Sequence, residues 1–298
     1  MTKESLLDPK VLSRVSNYPL LARTTVEGFI SGLHRSLYHG FGSEFVQYRH
    51  YMRGDDLKYL DWKVLARQDK LQIKVFQEET NTNCYVVLDC SASMAYAGES
   101  GISKLHYGST VAAALAYLVT RQGDNIGMSA YSEQLLTSIP PGHRSGQFNT
   151  ICEELARLKA AGACQHAGTF DRLGESFSRR GLIVLIGDFL DPDPALRQGI
   201  SRLRFSNHDC VLIQILHEDE VNFSFDKTIH FVDSETQEEL ITAPEVVRKQ
   251  YQEGLQADLD DLRRFCLANE IDHVRLHTGE PLDAALATYL HRREQHRK

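Results

Sequence analysis

The amino-acid sequence predicts an α/β fold, doubly wound around a mostly parallel sheet, with an α/β extension at its N-terminus. Three observations carry this. Short apolar runs at Cys84–Leu88, Leu182–Ile186 and Val211–Leu216 are almost unbroken, as strands buried on both faces are. Helical patterns separate them, which is the alternation that a parallel sheet with crossover helices produces. Residues 1–80 differ in character and carry a Gly/Ser/His-rich turn at Ser36–Ser43, so they are set apart as an extension from an α/β domain at 81–298.

Within the extension, a short helix is expected around Leu20–Leu33 and a strand at Glu44–Tyr51. Asp55 and Asp56 can cap a helix, because a carboxylate satisfies the free N–H groups of a first turn; Leu57, Leu60, Val64 and Leu65 then recur at helical spacing. Leu71, Ile73 and Val75 alternate as a half-buried strand would. In the second part, Leu105–Arg121 is apolar over much of its surface and reads as a buried helix. Ile126–Tyr131 and Leu135–Ile139 are strands, the second closed by Pro140-Pro141-Gly142. Helices follow at Phe148–Lys159 and Pro194–Phe205. Thr228–Val232 and Glu239–Thr242 form a hairpin around Asp233-Ser234-Glu235. A long helix spans about Pro244–Asn269, and a strand His273–His277 and a helix Leu282–Arg293 close the chain.

Composition bounds the function. The 298 residues fit one large domain, or one domain plus an extension, and 42% of them are hydrophobic, enough for a full core. A formal net charge of -7 argues against a dedicated nucleic-acid binder, which needs a basic face, and is compatible with binding a cation. The six cysteines form no C-x-x-C pair, so buried free thiols are expected rather than a zinc site or a disulfide framework. The start, MTKESLLDPK, has no apolar signal core, and the longest apolar run, Val111–Val119, is too short for a bilayer. A cytoplasmic chain without direct membrane insertion is expected.

In a doubly wound sheet, ligands bind outside the carboxyl ends of the strands, where the strand order reverses. Just after the first core strand the sequence reads Asp89-Cys90-Ser91-Ala92-Ser93. In extended backbone alternate residues point the same way, so these three oxygen-bearing side chains can converge. A carboxylate and two hydroxyls are hard donors, suited to Mg²⁺, Mn²⁺ or Ca²⁺. Gly187-Asp188-Phe189 places a second carboxylate after the most apolar strand. Thr169, in Ala167-Gly168-Thr169 ahead of a helix starting near Phe170, could add a third hydroxyl.

Asp-x-Ser-x-Ser after a strand, a later loop Thr and a strand-end Asp resemble the metal-ion-dependent adhesion site of von Willebrand factor A domains, across roughly residues 82–280. The resemblance implies a Rossmann-like, doubly wound, von Willebrand factor A-like fold. It implies a divalent metal, Mg²⁺ first, approached by Ser91, Ser93 and Thr169, with Asp89 and Asp188 acting directly or through water. Asp188 stands in Gly-Asp-Phe, where many members have Ser-Asp-Gly. A second series is narrower: Ser31-Gly32-Leu33-His34-Arg35-Ser36, Gly40-Phe41-Gly42-Ser43-Glu44-Phe45, Arg49-His50-Tyr51, Arg53-Gly54-Asp55-Asp56, Asp61-Trp62, Ala66-Arg67 and Lys74 to Glu79. It resembles the bacterial "domain of unknown function 58" family, whose members pair this segment with a von Willebrand A-like domain and are often encoded beside MoxR-type AAA+ ATPases. That suggests a protein-binding or adaptor module working with such an ATPase; the neutral hydroxyls would leave a bound cation seeking an acidic residue of that partner, and no catalytic residues are assigned.

Plainer roles stand beside these. Asp89, Ser91 and Ser93 could cap a helix after a strand, as could Thr169, and Asp188 could be a solvated loop acid. Arg53-Gly54-Asp55 spells an adhesion tripeptide, but Asp55 reads as a cap. Asp55, Asp56, Asp61 and Trp62 could form a buried network with Arg49 or Arg67 that docks the extension. His34, His39 and His50 lack ligand spacing, and Glu218-Asp219-Glu220 reads as a solvated loop. The rival function is a Mg²⁺-dependent hydrolase or phosphotransferase using Asp89. Against it, no aspartate stands two residues after Asp89, and the chain has no P-loop and no Gly-x-Ser-x-Gly elbow.

Overall fold

The computed structural model describes residues 17–32, 45–50, 64, 65, 67, 71–76, 82–164, 166–177, 179–190, 194–225, 228–234, 237–282 and 284. The chain divides into two compact units, Arg35–Asn81 and the remainder. In the smaller unit, β1 (Phe45–His50) pairs antiparallel with β2 (Gln72–Phe76), with a bulge between Phe45 and Gln47. Val64, Leu65 and Arg67 are helical. Asp55, Asp56, Asp61 and Trp62 lie outside the described residues, as does the side chain of Arg49, and so does most of the helix expected at Leu282–Arg293.

The larger unit is built on a six-stranded sheet of β3 (Asn83–Asp89), β4 (Asn125–Tyr131), β5 (Leu135–Gly142), β6 (Gly181–Gly187), β7 (Asp209–Leu216) and β10 (Asp272–His277). Its order is β10-β7-β6-β3-β4-β5, and only the edge strand β5 is antiparallel. Counted in chain order the strands read 3-2-1-4-5-6, the doubly wound arrangement, and the order reverses between β3 and β6. The expected end of β5 at Ile139 is displaced. The strand runs through Pro140 and Pro141 to Gly142, which an edge strand tolerates because it need not donate on both sides.

Alternation along the strands explains their unbroken apolar runs. Val86, Leu88, Val184 and Ile186 face one core, which they share with α1 (Tyr18–Gly32), α2 (Lys104–Arg121) and α3 (Gln147–Arg157). Tyr85, Val87, Ile183 and Leu185 face the other, with α4 (His166–Ser176), α5 (Pro194–Phe205) and the C-terminal half of α7 (Pro244–Ala268). α1 buries Leu21, Ala22 and Val26 in the first core, and Tyr18 Oη bonds His106 Nδ1 of α2 at 3.2 Å. This helix, which the sequence reading assigned to the extension at residues 1–80, therefore belongs with the sheet. β8 (Ile229–Val232) and β9 (Glu239–Thr242) form the expected hairpin.

Glu218-Asp219-Glu220 is not a solvated loop. It opens the five-residue helix α6 (Glu218–Asn222) through a capping box: His217 Nδ1 accepts from the Asp219 amide at 3.1 Å, and Glu220 Oε2 accepts from the His217 amide at 2.6 Å. All six cysteines are free, and only Cys164 is not fully buried. Burial pushes the thiols of Cys90, Cys152, Cys210 and Cys266 up to about 12, which makes them unreactive. Among the described residues no helix is long and apolar enough to cross a membrane.

Candidate functional site

Asp89 ends β3 and Asp188 follows β6, so the two carboxylates stand at the carboxyl ends of the strands between which the order reverses. Gly187 makes room for this. A methyl group there would lie 2.9 Å from Asp89 Cβ, too close for any other residue. Both carboxylates are buried, as are Ser91 and Thr169.

The Ser91 amide donates to Asp89 Oδ1 at 2.8 Å, and the half-buried Cys164 thiol donates to Asp89 Oδ2 at 3.6 Å. Ser91 Oγ lies 3.1 Å from Ser93 Oγ. The Ser93 hydroxyl and the Phe189 amide in turn act on the Asp188 carboxylate and favour its charged form. Four of the five sequence-predicted residues are thus brought together in one polar cluster: Asp89, Ser91, Ser93 and Asp188. Thr169 is placed differently from the loop position expected of it. α4 begins at His166, so Thr169 sits in its first turn. The next residue, Phe170, packs edge-on against Tyr131, the β4 neighbour of Asp89, at 5.9 Å. Among the described residues no hydrogen bond ties the Thr169 hydroxyl to the cluster.

The turn after Asp188 is made without glycine. Phe189 adopts φ 50°, in the left-handed region that a bulky side chain enters only under constraint. Its buried ring, the amide it gives to Asp188 and the Gln214 Nε2 bond to the Asp188 carbonyl at 2.9 Å hold it there.

The sequence reading missed Lys104. Its side chain is 1% exposed, and Nζ lies 2.9 Å from Asp188 Oδ2 and 2.6 Å from Glu220 Oε1. It is the first residue of α2, whose Ser103 cap accepts from the His106 amide at 3.0 Å. The partial positive charge of a helix N-terminus disfavours a lysine there, and that mismatch was the one local signal available.

The two carboxylates differ accordingly. For Asp188, burial acts to raise the pKa, but the Lys104 ammonium and the Ser93 and Phe189 bonds outweigh it and hold the group below the usual carboxylate range. For Asp89, burial and then the charge of Asp188 push the pKa up to about 7, against the bonds from Ser91 and Cys164.

The donors have the chemistry to hold a hard cation. Around the cluster centre they are oxygens, and the 3.1 Å between the two serine hydroxyls is close to the edge of about 3.0 Å that an octahedron with bonds near 2.1 Å requires. Among the described residues no group of three or more His, Cys, Asp or Glu side chains is placed to hold a metal ion, so a cation here would depend on the hydroxyls.

Beside the cluster lies a Ser–His–Asp constellation. Ser100 Oγ is 3.2 Å from His217 Nε2, and Asp219 Oδ2 is 3.2 Å from His217 Nδ1. The Asp219 amide donates to Nδ1 at 3.1 Å, and the Ser100 hydroxyl donates to the Ala97 carbonyl at 3.1 Å. The group ties α6 to the Tyr96–Gly101 loop, helped by Tyr96 Oη donating to Asp219 Oδ2 at 3.1 Å. Gly98, at φ +50°, lets the loop pass within contact of His217 and Asp219.

Comparison with known proteins gives relatives in sequence and in shape. Uncharacterized protein Rv1480 of Mycobacterium tuberculosis is 27% identical over 224 residues, which cover 74% of this chain and 70% of that one. Among solved structures, the conserved hypothetical protein BatB from Bacteroides thetaiotaomicron aligns over 72% of this chain and 99% of its own, at 11% identity and TM-score 0.45. The SpRpn10 VWA domain aligns over 69% of this chain and 93% of its own, at 10% identity and TM-score 0.39. A family model matches residues 47–260, more than half of the sequence, and by that match the chain belongs to the family described as Protein of unknown function DUF58.

Proposed function

We propose that this chain is a metal-dependent protein-binding module, an adaptor that works with a MoxR-type AAA+ ATPase in a chaperone-like or assembly role. The observation that carries the reading is the meeting of Asp89, Ser91, Ser93 and Asp188 in one largely buried polar cluster at the reversal point of the sheet. Mg²⁺, or Mn²⁺ or Ca²⁺ in its place, would be held by Asp89 and the two serine hydroxyls, with Asp188 and Thr169 close by or acting through water. Neutral hydroxyls leave much of the cation's charge uncompensated, and Lys104 already neutralises Asp188. A bound cation would therefore favour an acidic side chain from a partner. One such contact is too small to hold two proteins together, so a wider interface goes with it.

The module is not itself an enzyme in this reading: the hydroxyl of Ser100, the serine beside His217, donates to the Ala97 carbonyl. The test is complex formation with a MoxR-type ATPase from the same organism, measured by biolayer interferometry in Mg²⁺ and in chelator. Wild type should bind in Mg²⁺ and lose at least about tenfold in affinity in chelator, while Asp89→Ala binds weakly in both. Equal binding by both proteins in both buffers would remove the metal as the bridge. A phosphatase or nucleotidase turnover that vanishes in Asp89→Asn would replace the adaptor with an enzyme. Replacement confined to Arg35–Asn81 would test the smaller unit while leaving α1 in the core.

A further inference from the structure

Lys104 is a buried charged group inside the candidate site, and neutralising Asp188 accounts for only one of its two ion pairs. An ammonium that is 1% exposed is rare unless paired, and this one has two partners. Asp188 belongs to the cluster. Glu220 does not: it is held from the far side by the His217 amide at 2.6 Å, in the capping box of α6. The backbone of Lys104 is fixed as well, its amide donating to the Tyr96 carbonyl at 3.0 Å. The lysine thus bridges one carboxylate that faces the hydroxyl cluster and one that faces away from it.

A divalent cation seated among Asp89, Ser91 and Ser93 would lie close to this ammonium, and like charges at a few ångströms in a buried site repel strongly. The cation and Lys104 also draw on the same carboxylate. We propose that Lys104 is a built-in competitor of the metal for Asp188, with Glu220 as its alternative seat, so that the partition of this one side chain between two carboxylates sets the metal affinity of the site. The proposal rests on the metal-site reading above and adds to it a residue that tunes the site without being a ligand. It gives the two partners of Lys104 opposite roles. Removing the ammonium frees Asp188 for the metal. Removing the charge of Glu220 commits the ammonium to Asp188 and works against the metal.

The test is calorimetric titration of Mg²⁺ and of Mn²⁺, at fixed pH and ionic strength, into the full chain as wild type, Lys104→Met, Glu220→Gln, Asp89→Ala and the Lys104→Met/Asp89→Ala double variant. Lys104→Met should bind about tenfold tighter or more, and Glu220→Gln several-fold weaker. Asp89→Ala should abolish binding in both backgrounds. Lys104→Met leaves a buried carboxylate unpaired. If it does not fold in chelator, its Mg²⁺-dependent melting temperature provides the readout and should rise more steeply with metal than that of wild type. Glu220→Gln keeps the shape and the hydrogen-bonding capacity of the side chain and tests the same idea with the opposite sign. Unchanged or weaker binding in Lys104→Met, or tighter binding in Glu220→Gln, with the Asp89 dependence intact, would overturn the role of Lys104 and leave the metal site standing. No Asp89-dependent binding in either wild type or Lys104→Met would overturn the metal site itself, and this proposal with it.

Discussion

Asp89 and Asp188 stand at the ends of hydrogen-bonded neighbouring strands, β3 and β6, and both are buried. On the β6 side the charge is answered within the chain: Lys104 lies at 2.9 Å and Glu220 shares the ammonium. On the β3 side the partners are an amide, a hydroxyl and a thiol, and among the described residues no ammonium or guanidinium reaches Asp89. The Asp188 pKa is held below the usual range, and that of Asp89 is pushed up to about 7. One half of the cluster brings its countercharge with it, and the other half is where an added cation would gain most. The same residue type at equivalent strand ends therefore has two different tasks.

The largest effect that separates the halves is on stability. Removing one member of a buried ion pair leaves the other charged and unsolvated, which costs about 3–5 kcal/mol. Lys104→Met should lower the unfolding free energy by that order in urea melts with chelator present. A cost under about 1 kcal/mol, the range of surface pairs, would show that the ammonium is not held as described. Next in size is a pair of isosteric changes. Asp188→Asn deprives Lys104 of one charged partner and should destabilise the metal-free protein by about 1–3 kcal/mol. Asp89→Asn removes a buried, poorly compensated charge and should leave stability unchanged or raise it. Equal losses in the two variants would erase the distinction between the strand ends.

The smallest effect serves as a control at the other end of the sheet. His208 is buried just before β7, edge-on to the rings of Tyr85 at 6.1 Å and Phe177 at 5.9 Å. Burial lowers its pKa, so the unfolded chain takes up the proton first. Its contribution to stability is then complete above the unfolded imidazole value of about 6.5 and declines as the pH falls below it. His208→Phe should flatten that part of the stability–pH curve and leave metal binding untouched. A curve with the same slope in the variant would remove His208 as its source.

The central strands β3, β6 and β7 were legible because they are buried on both faces and so are written as almost unbroken apolar runs, and the candidate site was legible because a doubly wound sheet says where to look. Asp89, Ser91, Ser93 and Asp188 all lie within five residues of such a run. Lys104 and Glu220 were not legible in this way. Lys104 reaches Asp188 and Glu220 across 84 and 116 residues, and no periodicity records a contact of that range. Glu218-Asp219-Glu220 looked solvated because three adjacent acids usually are. Its role depends on a histidine cap and on a lysine placed by a different helix. Thr169 was misplaced by a few residues because α4 starts before the glycine at 168 that reads as a loop. The turn at Phe189 could not be foreseen either, since the left-handed conformation is enforced by tertiary bonds and not by the residue itself.

The metal site is tested most directly by crystallising the wild-type chain, soaking the crystals in Mn²⁺ and recording anomalous scattering. One strong peak should stand at the β3–β6 strand ends, with Ser91 Oγ and Ser93 Oγ at about 2.1–2.2 Å and the Asp89 carboxylate beside it, as a hard octahedral cation requires. A map with no peak at that position, or with Mn²⁺ bound only elsewhere while Lys104 stays on Asp188, would contradict the metal site.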